Sequence, residues 1–304
     1  MHDEFVLVTG SHGLVGKAVA QLLLRTGNRV LFADLRSDTP FDICDQEKVE
    51  TAASQVTGII HLGAVSRVVE AERHPALCQS VNVDATRHIL QSALKSRLKP
   101  WVIYASSREV YGPQPGKLVN EDIALAPINI YGRSKHEAEN LVTEARRAGL
   151  KTAIVRFSSV YGALNDHADR VMPAFVGAAV TGGTLRLDGP NCAFDFTHID
   201  DVAPGVAAVA SQLFAGEQRL PPIHFVSGRS TSLEELANRA IAAGNGRGRF
   251  VIAPPRSFDV HEFVGDPGRA KALLGWQATV TLEAGLSRYA DLMRTRLPVE
   301  QAEA

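Results

Sequence analysis

Cysteine is scarce in this chain: Cys44, Cys78 and Cys192 are the only three in 304 residues. They lie far apart and match no disulfide or metal-ligand spacing, which points to a reducing compartment, idle or buried thiols and no bound metal. Net charge is lacking as well. With 32 Lys and Arg against 33 Asp and Glu, no overall field draws the protein to nucleic acid or to an anionic membrane, so any phosphate-binding site must be local. No apolar run reaches the ~18 residues of a spanning helix. The opening MHDEF is neither basic nor apolar enough for a signal peptide. These absences lead us to expect a soluble cytoplasmic protein with a small-molecule partner. Internal repeats and low-complexity segments are missing too.

What is present is concentrated at the start. In FVLVTGSHGLVG, residues 5–16, apolar β-formers run into glycines at Gly10, Gly13 and Gly16. An amphipathic run follows, with Val19, Leu22 and Leu23 at helical spacing. The pattern predicts a buried strand, a tight loop and a helix. Gly10 permits the turn, Gly13 lets backbone N–H groups approach a pyrophosphate, and Gly16 allows close helix–strand packing. The helix dipole and unpaired N–H groups then make an anion site. A second apolar strand, Arg29–Ala33, ends at Asp34. An acid about 20 residues beyond such glycines can accept hydrogen bonds from an adenosine ribose, which favours NAD over NADP. Arg36 is the one nearby feature that points the other way.

Further along, strands expected at 57–62, 101–105 and Thr152–Phe157 alternate with helices at 75–94 and 134–148. Short apolar strands separated by helices imply an α/β fold, a doubly wound Rossmann-type parallel sheet. After about residue 160 the regularity fails. Gly- and Pro-rich loops are expected at 182–191, 221–222 and 253–255, and helices at Val171–Thr181, 202–214 and Leu233–Ala243. The division expected is a dinucleotide-binding domain over 1–162, with returning segments near 193–228. A smaller mixed substrate lobe would cover 163–192 and 229–298, leaving a tail at 299–304.

The catalytic signal is Tyr131-x-x-x-Lys135. At this spacing two side chains share one helix face. A cation beside a phenol favours tyrosinate, and Tyr131 could then take a proton from a substrate hydroxyl as hydride leaves for a nicotinamide. Ser106 and Ser107 close the 101–105 strand, where hydroxyls can orient a substrate oxygen.

These motifs together resemble an extended short-chain dehydrogenase/reductase of the NAD-dependent epimerase/dehydratase family, along nearly the whole chain. The resemblance implies that Gly10, Gly13, Leu14, Val15 and Gly16 form the cofactor loop and that Asp34 is the ribose acid. Asp42 and Ile43 are similar to the adenine contact. Leu62, Gly63, Ala64 and Ser66, in HLGAVSRV, resemble the segment beside the nicotinamide ribose and the substrate. Asn82 in VNVDAT stands where the family places a cofactor-site Asn. In YASSREVYG, Ser107 has the family's spacing for its catalytic hydroxyl, with Tyr131 and Lys135 completing the set. A nucleotide-sugar substrate and a homodimer built from a four-helix contact are also implied.

Departures from the family pattern bear on the reaction. Ser159 stands where a substrate-touching Asn is usual, and Phe194 replaces an Arg that commonly helps hold the diphosphate. An apolar ring cannot imitate a bidentate guanidinium. Arg256 matches the family's other diphosphate-contacting Arg. Glu109 falls where dehydratases and decarboxylases carry a Glu near sugar carbon 5. Arg108 occupies the place of the Asp that acts as acid in 4,6-dehydratases, a role closed to arginine. The Arg that decarboxylases carry eight residues before a C-terminal tryptophan falls here on Gly268, one place short of Arg269. By elimination, 4-epimerisation through a transient 4-keto sugar leads. The alternatives are a dehydratase- or decarboxylase-like enzyme using Glu109, a sugar dehydrogenase on a substrate without diphosphate, and a non-catalytic NAD-sensing protein.

Overall fold

Each apolar run of the N-terminal half becomes a parallel strand, and each amphipathic run a helix laid on the sheet. The computed structural model describes residues 4–296, apart from 247 and 257. The first elements are β1 (Phe5–Thr9), α1 (Leu14–Arg25), β2 (Arg29–Ala33), α2 (Gln46–Ala53) and β3 (Gly58–His61). Two short helices, α3 (Val68–Arg73) and α4 (Pro75–Gln79), lead through a π-helical turn, Ser80–Asp84, into α5 (Ala85–Lys95). Next come β4 (Trp101–Ser107), a 3₁₀ turn over Arg108–Tyr111, β5 (Leu118–Val119), α6 (Ile130–Arg147) and β6 (Thr152–Phe157). The remainder is β7 (Ser159–Tyr161), α7 (Val171–Thr181), β8 (Thr184–Asp188), β9 (Ala193–His198), α8 (Ile199–Phe214) and β10 (Ile223–Phe225). It closes with β11 (Ser230–Ser232), α9 (Leu233–Ala243), β12 (Arg249–Ala253), β13 (Glu262–Gly265), α10 (Gly268–Leu274) and α11 (Leu282–Arg294).

The main sheet has six strands in the order β10-β6-β4-β3-β1-β2, every pairing parallel. Side chains alternate between two cores, as the pleat requires. Val6, Val8, Ile60 and Ile103 face α1 and α8, packing with Val19, Val206 and Leu213. Leu7, Ile59, Val102 and Tyr104 face α2, α5 and α6, packing with Val49, Ile89 and Val142. The apolar faces of α5 and α6 are therefore occupied by the sheet. Strand order reverses between β1 and β3, so a crevice opens at their carboxyl ends, the usual ligand position in such sheets.

Two helices differ from expectation in ways that matter for the site. The run 75–94 is broken by the π turn, whose wider spacing carries the buried Asn82. Helix α6 starts at Ile130 rather than 134, because Asn129 caps it: the Asn129 Oδ1 accepts from the Gly132 N–H at 2.7 Å. Tyr131 consequently lies in the first turn.

The C-terminal part adds a sheet ordered β11-β9-β13-β5, with β7 paired to β9, and a parallel β8–β12 ribbon. Helices α7, α9 and α11 cover it around Phe175, Leu236, Leu286 and Tyr289. The expected loop over 182–191 contains strand β8, whose Leu185 and Leu187 alternate into this core. Flanking glycines hid that short period-2 pattern. Within the span 229–298, Ala270 and Trp276 instead join the first core, the indole meeting Phe225 edge-on at 4.9 Å. The expected tail, 299–304, lies outside the described residues. Among the described residues the three cysteines are free, and no helix is long and apolar enough to cross a membrane.

Candidate active site

A cavity of about 750 Å³ runs along the carboxyl edge of the main sheet, between it and the C-terminal elements. Its first half is made largely of backbone. At Gly10, φ is +67° and an added Cβ would sit 2.8 Å from the Gly63 nitrogen; at Gly16 it would sit 2.1 Å from the Gly10 carbonyl oxygen. The ends of β1 and β3 and the start of α1 thus touch with no space for side chains. Helix α1 begins at Gly13 without a side-chain cap, leaving its first N–H groups for an anion. Gly10, Gly13, Leu14, Val15, Gly16, Asp42, Ile43, Leu62, Gly63 and Ala64 all line this half.

Asp34, at the end of β2, lines it too and is charged. Burial works against the anion, but hydrogen bonds from the Arg36 side chain and N–H and from the His12 N–H outweigh it, holding the carboxyl below its ordinary range. Arg36 is committed to this carboxylate through Nε at 3.1 Å and Nη2 at 3.3 Å. The cation that could have welcomed a ribose phosphate is therefore already paired. An uncapped helix start, a glycine cradle and a charged acid at the next strand end fit an NAD molecule.

Asn82 corrects the sequence reading. It is absent from the cavity wall. Its Oδ1 accepts from the Val65 N–H at 2.8 Å, and its Nδ2 donates to the Val65 carbonyl at 3.0 Å and to the Ser134 Oγ at 2.9 Å. It braces the wall from behind. Sequence reasoning missed the rest of that brace. Thr9 Oγ1 accepts the Leu62 and Gly63 N–H groups at 3.1 and 3.0 Å and bonds to His61 Nδ1 at 2.7 Å. His61 Nε2 reaches Thr86 Oγ1 at 2.9 Å, which donates to the Asn82 carbonyl at 2.7 Å. Burial first, then the Lys135 charge, pushes His61 down to about 3, so it is a neutral link.

Tyr131, Lys135 and Ser107 converge where the two halves meet. All three are buried, and the Ser107 hydroxyl acts to favour the Tyr131 anion. Lys135 donates from Nζ to the Ala105 carbonyl at 2.8 Å, and burial lowers its pKa to about 8. The expectation that Lys135 draws the phenol toward its anion is overturned. Nζ lies 5.9 Å from the Tyr131 ring centroid, and burial pushes the phenol up to about 12. The Arg170 charge and the Ser107 hydroxyl oppose that rise; Glu109 and Cys78 add to it. Arg170, from the loop before α7, had no local sequence signal. It donates from Nη2 to the Ser66 carbonyl and hydroxyl at 3.1 and 3.0 Å. Asn165 of the same loop donates to the His12 carbonyl at 3.0 Å, joining that loop to the glycine turn.

The profile of the NAD-dependent epimerase/dehydratase family matches residues 6–224. The chain belongs to this family. It is 25% identical to UDP-glucose 4-epimerase of Mycolicibacterium smegmatis, the match covering 95% of this chain and 98% of that one. It is 27% identical to UDP-N-acetyl-alpha-D-glucosaminuronate decarboxylase of Bacillus cytotoxicus, over 95% and 97% of the two chains. Among solved structures it resembles UDP-glucose 4-epimerase of Thermotoga maritima with UDP-glucose, at a TM-score of 0.88 and 26% identity, covering 97% of this chain and all of that one.

The departures from the family pattern at Ser159 and Phe194 lie in the second half of the cavity, which Ser66 and Arg256 also line. Phe194 carries a cation on its face: the Arg108 guanidinium sits 4.3 Å above the ring centroid. Arg108 Nη2 pairs with Glu109 Oε1 at 3.1 Å, while its buried Nη1 has no partner among the described residues. Arg256 is about half exposed and pairs with Asp259 at 2.7 Å. Arg269 is not on the wall; it donates to the Pro222 carbonyl at 3.1 Å and pairs with Asp122.

Proposed function

We propose that this protein is an NAD-dependent nucleotide-sugar epimerase inverting carbon 4 through a 4-keto sugar. The observation that carries the reading is the meeting of Ser107, Tyr131 and Lys135 on the wall shared by the dinucleotide half and the sugar half of one cavity. The epimerase names among its relatives support it. NAD, when bound, would supply reversible hydride acceptance at the sugar carbon and a positive ring charge that favours tyrosinate. Tyr131 takes the 4-hydroxyl proton and later returns it to the same oxygen. Ser107 holds that oxygen by hydrogen bonding. Lys135, fixed on the Ala105 carbonyl, would hold the cofactor ribose with its remaining donors. Arg170 opposes the effect of burial on the phenol. A single oxidation followed by a single reduction leaves no net redox change.

The dehydratase- or decarboxylase-like alternative rests on Glu109, which lines the cavity. Against it, Glu109 Oε2 accepts from Asn129 at 2.8 Å and Oε1 faces Arg108. Arg269, the nearest candidate for the decarboxylase arginine, lies elsewhere. A homodimer and a cytoplasmic location belong to the same proposal, supported by the family resemblance; light scattering of the purified protein tests the dimer. The reaction is tested by incubating the protein with UDP-, dTDP-, GDP- and CDP-sugars in heavy water and reading products by mass and proton NMR. The 4-epimer without solvent deuterium is expected. Deuterium at carbon 5 with loss of water or carbon dioxide overturns the reading in favour of the alternative, and stoichiometric NADH release in favour of a dehydrogenase.

A further inference from the structure

Glu109 is buried beside the catalytic groups, yet the proposed reaction assigns it no step. Its contacts link the Ser107 end of β4 to the start of α6. Ser107 Oγ accepts from the Glu109 N–H at 3.3 Å. Glu109 Oε2 accepts from Asn129 Nδ2 at 2.8 Å. Asn129, itself 2% exposed, caps α6 by accepting from the Gly132 N–H at 2.7 Å. Tyr131 stands between those two residues in the chain and lines the same cavity wall as Ser107. The backbones are locked as well: a Cβ on Gly132 would lie 2.6 Å from the Glu109 carbonyl oxygen. The same Asn129 Nδ2 reaches the Phe258 carbonyl at 3.3 Å. Phe258 belongs to the segment that also presents Arg256 and Asp259 to the substrate half.

We propose that Glu109 and Asn129 are positioning residues: a latch that holds the first turn of α6, with Tyr131, in place beside Ser107 and ties Phe258 to the same point. Glu109 acts through Asn129, and its carboxylate is a hydrogen-bond acceptor rather than a proton acceptor. This rests on the reading that Tyr131 and Ser107 carry the reaction. A cap alone would need only a short polar side chain, because a serine or aspartate oxygen serves a helix N-terminus equally well. An asparagine here supplies what those cannot, a donor on the far side of the cap, and Glu109 is the buried acceptor matched to it. Misplacing a catalytic group by about 1 Å lowers rates about 100-fold, so a latch of this kind governs turnover more than affinity.

The test reverses the polarity of the bond. Asn129→Asp keeps the cap but sets two carboxylates face to face; Glu109→Gln removes the acceptor's charge; together they rebuild the bond with the donor on the other side. With UDP-glucose as probe, Asn129→Asp is expected to lose about 100-fold in kcat with KM changed less than about 3-fold, and Glu109→Gln about 10-fold in kcat. The double variant recovers to within about 5-fold of the wild-type kcat. A double variant no faster than the slower single one overturns the latch, and is the result required if the Glu109 carboxylate accepts a proton. Failure of the parent reading is seen separately, as a wild type that epimerises none of the sugars. In that event the thermal midpoints of the same four proteins still decide: recovery in the double variant supports the bond, and additive losses overturn it.

Discussion

The two halves of the cavity are built by different means. The cofactor half is largely backbone: three glycines, the open end of α1 and one acid from residues 10–34, closed by Asp42, Ile43 and the 62–64 turn. The sugar half is side chains drawn from distant segments, and its cations are met by carboxylates: Arg108 by Glu109, Arg170 by Asp166, Arg186 by Asp188 and Arg256 by Asp259. A backbone cradle tolerates no change at its glycines, whereas paired side chains can be exchanged pair by pair. One half is thereby committed to a single ligand and the other is open to divergence.

The largest effect is expected where the halves join: Tyr131→Phe removes the proton acceptor and lowers kcat by about 10³-fold while the protein keeps its bound NAD, read by steady-state assay and cofactor extraction. A variant within a few-fold of wild type would place the chemistry elsewhere. In the cofactor half, Gly16→Ala drives a methyl group into the Gly10 carbonyl, and we expect loss of bound NAD with destabilisation of about 3 kcal/mol in urea unfolding. Retained cofactor at wild-type stability would break the backbone-cradle account.

Lys135 gives a pH signature. Its folded pKa, about 8, lies below the ordinary lysine value because of burial. Between pH 8 and 10.5 the unfolded chain therefore binds more protons than the folded one, and stability rises with pH. Lys135→Met, which has no charge to bury, should exceed wild type by on the order of 2 kcal/mol at pH 7, the gap closing above pH 8. A gap independent of pH would contradict the burial of a charged Lys135. The smallest effect is expected at Arg256, half exposed at the outer end of the sugar half. Arg256→Ala should raise KM for a nucleotide sugar by about 2- to 5-fold, less at high salt, with kcat held.

Legibility followed the same division. The glycine turn, Asp34 and the Tyr131–Lys135 pair were readable because their spacing is short and set by one turn or one helix face. The strands of the main sheet were readable as buried apolar runs. Strand β8 was not, since glycines flank a pattern of only two buried leucines. Asn82 misled because its place beside the cofactor segment does not say which way its amide turns, and the π turn directs it to Val65. Asn165 and Arg170 reach the site across more than a hundred residues, to His12 and Ser66. No local signal marks such contacts. The acidity of Tyr131 was likewise beyond the sequence, since the desolvation that dominates it exists only in the folded cavity.

The most direct test of the central claim uses UDP-glucose carrying deuterium at carbon 4. If Tyr131 works at a cavity closed around a resident cofactor, the label returns to carbon 4 of the epimer and none appears in solvent or in free NADH. Epimer formed with the label lost from carbon 4, or label released with NADH, would contradict it.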